Sequence, residues 1–117
     1  MGGLISRSDI RTILLDWQSG ELKHAEVHRW AEERYMFEEW QIEDEVVRDI
    51  LCHLDIMDVN LITPDDIPVF LSMLALPPER TEESLELLRR HGDSWSLEKT
   101  VEKWGKDPFY APFCKSD

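Results

Sequence analysis

Apolar residues recur at three- and four-residue steps along almost the whole chain, and short runs of Ser, Thr, Asp, Gly and Pro interrupt them. That rhythm predicts amphipathic helices separated by tight connections, and no stretch sustains the two-residue alternation of a strand. Ser6-Arg7-Ser8-Asp9 has the form of a capping box with Asp in the reciprocal position. Ile10, Ile13, Leu14 and Trp17 follow at helical spacing, and Gly20 supplies a left-handed stop. A second helix is expected from about His24 to Phe37, with Val27, Trp30, Ala31 and Tyr35 on its apolar side. A third runs from about Asp44 to Met57 through Val46, Val47, Ile50, Leu51 and Leu54.

The fourth start carries the fullest signature. Thr63 stands as N-cap, Pro64 at the first helical position and Asp65 and Asp66 in the first turn, and Pro77-Pro78 ends the helix. Thr81 opens a fifth helix through Leu85 and Leu88 to Gly92, and Ser96 opens a short sixth through Val101 and Trp104 to Gly105. Beyond it, Phe109, Tyr110 and Phe113 are too apolar to leave in water, yet Pro108 and Pro112 forbid a long helix. Residues 106–117 are therefore expected to lie over the core as an extended strap. The chain reads as one all-α domain over residues 1–117: five to six helices, two helical hairpins, a C-terminal helical region and the aromatic tail.

Composition supports a folded domain. With 117 residues, 42% of them hydrophobic and five tryptophans, the chain can bury a core without metal or disulfide support. Cys52 falls inside an apolar stripe and reads as a small buried hydrophobe, and with Cys114 far from it a reduced, cytoplasmic setting is expected. No apolar run is long enough for a signal peptide or a membrane span. Met1-Gly2-Gly3-Leu4-Ile5-Ser6 fits the myristoylation pattern, although a glycine pair after Met equally describes a flexible start.

Charge changes the picture more. The formal net charge is −12, and residues 31–66 alone hold twelve carboxylates against two arginines. Such a chain repels phosphate backbones and anionic membranes, so neither nucleic acid nor membrane is an expected partner and a basic protein is. Glu43, Asp44, Glu45, Asp65 and Asp66 sit at helix starts, where negative charge meets the positive end of the helix dipole. Arg29–Glu33, Arg34–Glu38 and Asp44–Arg48 can pair one turn apart. Glu32, Glu39, Asp49, Asp55 and Asp58 keep no local explanation. In Glu38-Glu39-Trp40-Gln41-Ile42-Glu43 a tryptophan stands between carboxylates, as in a hot spot for a basic partner, although Trp40 or Ile42 can also fold back on the third helix. The candidate partner-binding residues are Glu32, Glu33, Glu38, Glu39, Trp40, Asp55 and Asp58.

Catalytic patterns are missing: there is no nucleophile elbow, no phosphate-binding loop and no Cys-x-x-Cys. No cofactor is expected. His24, His28 and Glu32 recur every four residues and form the one candidate metal set, but a fourth ligand is not evident and His28–Glu32 is an ordinary polar pair one turn apart. A helix-loop-helix shape occurs around Gly20 and again around Asp55, with too few oxygen ligands in either loop for calcium.

Three stretches, Gly20 to Ala31, Asn60 to Leu71 and Asp107 to Cys114, together resemble a group of small bacterial proteins with no assigned activity. The resemblance implies a bacterial, cytosolic setting and transfers no catalytic residue. In size, charge and class the chain is also broadly similar to the acidic helical immunity proteins that neutralise nuclease toxins. The expectation is thus a non-enzymatic, acidic, protein-binding domain of immunity or inhibitor type. The rivals are a metal-binding domain or metal-dependent enzyme using His24, His28 and Glu32, and a scaffold domain using the aromatic tail.

Overall fold

The computed structural model describes residues 3–35 and 40–114, and shows one all-α globule. Its helices are α1 (Arg7–Ser19), α2 (His24–Tyr35), α3 (Glu45–Asp55), α4 (Ile67–Ala75), α5 (Thr81–Ser94) and α6 (Leu97–Trp104). Local chemistry sets most of the boundaries. The Ser6 hydroxyl accepts from the Asp9 N–H while the Asp9 carboxylate accepts from the Ser6 N–H, closing the expected capping box. Gly20 ends α1 at φ 90°, a conformation open to glycine and costly for other residues. Asp44 caps α3 through the Val47 N–H and Ser96 caps α6 through the Lys99 N–H. Thr63 and Asp66 form a second capping box, but what it opens is a single 3₁₀ turn, Pro64–Asp66, from which α4 continues at Ile67.

The middle helix organises the core. Val46, Val47, Ile50, Leu51 and Leu54 of α3 are all buried, because their spacing gives one helix two adjoining apolar rows. α2 packs chiefly on α3 and α4 on α5, with α1 lying across α3 and α4. The hairpins are therefore α2–α3 and α4–α5, a different pairing from the α1–α2 and α3–α4 units that the turns at Gly20 and Asp55 suggest. Burial fades toward the C-terminus: Ser84 alone is buried in α5 and no residue is in α6. Cys52 is half-buried rather than enclosed, as is Cys114.

Three expectations require correction. Leu4–Ile5 and Gln41–Ile42 form a parallel two-stranded pair, β1 and β2, with Leu4 opposite Gln41 and Ile5 opposite Ile42. Two residues are too few for alternation to register in a sequence, so the pair is invisible until the helices bring its strands together. Gly92 lies within α5, which continues to Ser94, since at that position the helix tolerates glycine at a modest cost. The tail is wound rather than extended. The Asp107 carboxylate accepts from the Phe109 N–H, the Asp107 carbonyl accepts from Tyr110 and Ala111, and a 3₁₀ turn follows at Ala111–Phe113. It does cover the core, since Tyr110 is fully buried.

Long-range polar contacts concentrate on two places. Arg7 joins three elements: Nε donates to Asp44 at 2.6 Å, and Nη1 donates to the carbonyls of Leu76 at 2.6 Å and Leu74 at 3.3 Å. Those carbonyls belong to the end of α4, which lacks partners within the helix, and the buried Ser84 hydroxyl adds a donor to the Met73 carbonyl at 3.0 Å, beside the Leu76 N–H at 3.3 Å. The second place is the segment Asn60–Asp66. Tyr110 donates its hydroxyl to the Ile62 carbonyl at 2.6 Å, Lys103 and Trp104 both donate to Asp65, and His91 pairs with the buried Asp66. Within this segment Leu61 adopts φ 52°, a conformation that costs a branched side chain roughly 1–2 kcal/mol and is held by burial of that side chain.

Candidate functional site

α2 turns His24, His28 and Glu32 to one side, toward the end of α3 and the wound tail, and the three then do different things. His24 Nδ1 accepts from the Trp17 indole N–H at 2.9 Å, which places the ring proton on Nε2, facing the Asp107 carboxylate at 3.3 Å. The rings of Trp17, Trp104, Phe109 and Tyr110 surround it with centroids 5.0–6.0 Å away. His28 Nε2 donates to the Asp55 carbonyl at 2.9 Å. A metal set needs ring lone pairs aimed at one point, and these nitrogens are engaged with separate partners. Among the described residues no group of three or more His, Cys, Asp or Glu side chains is placed to hold a metal ion. The set read from four-residue spacing is thus divided between a tail anchor, His24, and an acidic cluster around His28.

That cluster does unite part of the expected acidic surface. Asp58 Oδ1 lies 3.6 Å and Glu32 Oε2 3.9 Å from His28 Nε2, and Asp55 sits beside them. Burial, and then the charges of Glu32 and Asp58, hold the Asp55 carboxyl above its usual range against the opposing pull of His28. Three carboxylates from α2, from the end of α3 and from the turn after it therefore press on one another around a single imidazole.

The remaining candidates lie elsewhere. Glu33 is exposed one residue further round α2, 3.9 Å from Arg34. Trp40 is half-buried and packs on the core, and the Arg34 guanidinium lies over both its ring and that of Trp30, at 4.9 and 4.6 Å from the centroids. Trp40 thus serves as a platform for an internal arginine, which removes it from the acidic cluster. Glu38 and Glu39, and with them the expected Arg34–Glu38 pair and the end of the second helix at Phe37, lie outside the described residues. So does Gly2, while Ser6 of the same motif is the α1 cap.

The helix-start carboxylates have more specific work than dipole compensation. Asp44 pairs with Arg7, from α1, instead of Arg48. Burial alone raises the Asp44 carboxyl, but the hydrogen bonds from Arg7 and Val47 outweigh it and leave it below the usual range. Asp65 behaves likewise, lowered on balance by Lys103 and Trp104. Spacing within the chain carries no trace of these partners.

The stretches Gly20 to Ala31, Asn60 to Leu71 and Asp107 to Cys114 meet in space: His24 from the first touches Asp107, Phe109 and Tyr110 from the third, and Tyr110 reaches Ile62 of the second. The chain matches no protein-family model, and comparison with curated proteins and with solved structures likewise yields no match. No helix among the described residues is long and apolar enough to cross a membrane.

Proposed function

We propose that the chain is a non-enzymatic binding domain that receives a basic protein on the surface formed by Glu32, Asp55 and Asp58, in the manner of an immunity or inhibitor protein in a bacterial cytoplasm. The observation that carries this reading is the gathering of the Glu32 and Asp58 carboxylates within 3.9 Å of the His28 imidazole, with Asp55 beside them. Charge gathered so that its members repel is a cost to the free fold, and a cationic partner removes that cost on binding. Among the described residues, the ion-pair neighbour of Glu32 and of Asp58 is His28, and no described lysine or arginine pairs with either. Glu38 and Glu39 add to the negative charge of the same stretch of sequence.

The test is binding to the products of neighbouring genes, above all any that ends in a basic domain, measured for wild type and for the Glu32→Lys/Asp58→Lys double variant. The expected result is tight binding that weakens steeply with salt and falls at least about a hundredfold on charge reversal, as for close charge pairs at interfaces. Binding that ignores both salt and the reversal, or no basic partner at all, would sink the proposal.

A further inference from the structure

On a part of the surface that the acidic cluster does not reach, α3, the turn at Asn60–Ile62, α4 and α5 enclose a cavity of about 200 Å³. Asp66 and Phe70 lie deep in it, and Asp66 is only 4% exposed, with one carboxylate oxygen 2.5 Å from His91 Nε2 and the other accepting the Thr63 N–H at 2.8 Å. A His91 proton is therefore on Nε2, and in the neutral ring Nδ1 is an acceptor. His53, which also lines the cavity, donates its Nδ1–H to the Asp49 carbonyl at 2.7 Å, leaving Nε2 as a lone pair. Two imidazole acceptors and a buried carboxylate thus meet in one concavity that, among the described residues, neither lysine nor arginine lines.

Apart from Asn60 and Gly92, the rest of the lining is apolar and aromatic. Phe70 presents its ring to His53 at 6.0 Å between centroids, and Trp95 stands at the rim with 37% of its surface exposed. The Asp66–His91 pair has a structural duty in tying α5 to the capping turn, but Trp95 and the free nitrogen of His53 have none that the fold displays. An indole left this open forgoes burial that a tryptophan ordinarily takes.

We propose that this cavity binds a small planar heteroaromatic amine of one or two rings, neutral or cationic, which donates N–H bonds to His53 and His91 and lies against Trp95 and Phe70. Acceptors on the wall select a ligand with donors, the carboxylate rejects anions, and aromatic faces favour a flat or cationic group. The volume limits the ligand to one or two rings, below the ordinary range for drug-sized sites.

Tryptamine and 2-aminobenzimidazole are the probes, with indole-3-acetate as the anionic control, titrated into the full chain and followed by NMR of the indole and imidazole ring signals. Both amines are expected to bind with Kd below about 1 mM, a reasonable strength for ligands of this size, with shifts centred on Trp95, His53 and His91 and with indole-3-acetate at least about tenfold weaker. Gly92 lines the cavity, and a Cβ there meets nothing within 4 Å, so Gly92→Leu narrows the mouth while α5 stays intact. That variant and Trp95→Ala, at an exposed position, should each weaken amine binding at least about tenfold with an unchanged melting profile. Failure of both amines to bind, equal binding of indole-3-acetate, or binding indifferent to both substitutions overturns the proposal.

Discussion

Asp55 and Asp44 are two aspartates on the same helix region with opposite linkage to pH. Asp55 is held above its unfolded value by burial and by Glu32 and Asp58, so the folded state binds its proton more tightly than the unfolded chain does. On its account stability is greatest in acid and falls as pH rises through the carboxylate range, and the deficit is complete at neutral pH. Asp55→Asn is therefore expected to raise stability at pH 7 by ~0.5 kcal/mol, a small figure because the group is only partly buried, and to leave it unchanged near pH 3. Asp44 is held low by Arg7 and Val47 against its own desolvation, so its contribution is present above the unfolded value and is lost as pH falls through the folded one. Asp44→Asn should destabilise at neutral pH and converge on wild type in acid. Urea melts of both variants across pH check the two signs together.

At the scale of elements, the ends of the helices decide which features the sequence reveals. Capping boxes at Ser6–Asp9 and Thr63–Asp66, the left-handed Gly20 and the caps at Asp44 and Ser96 are legible because each is a contact within three or four residues. The end of α4 shows the opposite case. Its carbonyls at Met73, Leu74 and Leu76 are satisfied by Ser84 and by Arg7, the latter from 67 and 69 residues away in the chain, and no spacing rule anticipates that. The acidic cluster divides in the same way: Glu32 and His28 are related by the helical turn, whereas Asp58 joins them because α2 happens to pack on α3. Trp40 is readable as either surface or core from the sequence, and it lies half-buried, packed on the core with Arg34 over its ring. Ser84→Ala tests the α4 terminus directly. It leaves the buried Met73 carbonyl without its side-chain donor and is expected to cost ~1–2 kcal/mol in denaturant melts, while changing neither the helix content nor the acidic cluster.

For the molecule as a whole, the balance is between a net charge of −12 and ion pairs that are mostly exposed, among them Arg80–Glu83, Arg89–Asp93 and Lys103–Asp65. Exposed pairs of this kind are worth little each, and salt screens attraction and repulsion alike, so the larger repulsive sum governs. The melting temperature is expected to rise by about 2–5 °C between about 10 and 150 mM NaCl, and a fall would mean that the pairs outweigh the net charge. The segment Asn60–Asp66 bears on a different property. α5, α6 and the tail each send a side chain to it, through His91, through Lys103 and Trp104, and through Tyr110. The C-terminal third is thin in buried residues, yet each of its parts is moored to the same short stretch of backbone. The α6 and tail moorings also touch each other, since the Trp104 and Tyr110 rings lie edge to face at 6.0 Å between centroids. α6 and the tail are therefore expected to open to solvent together, as one latch, and hydrogen exchange across residues 97–113 to follow a single event in place of a gradient of fraying from the end.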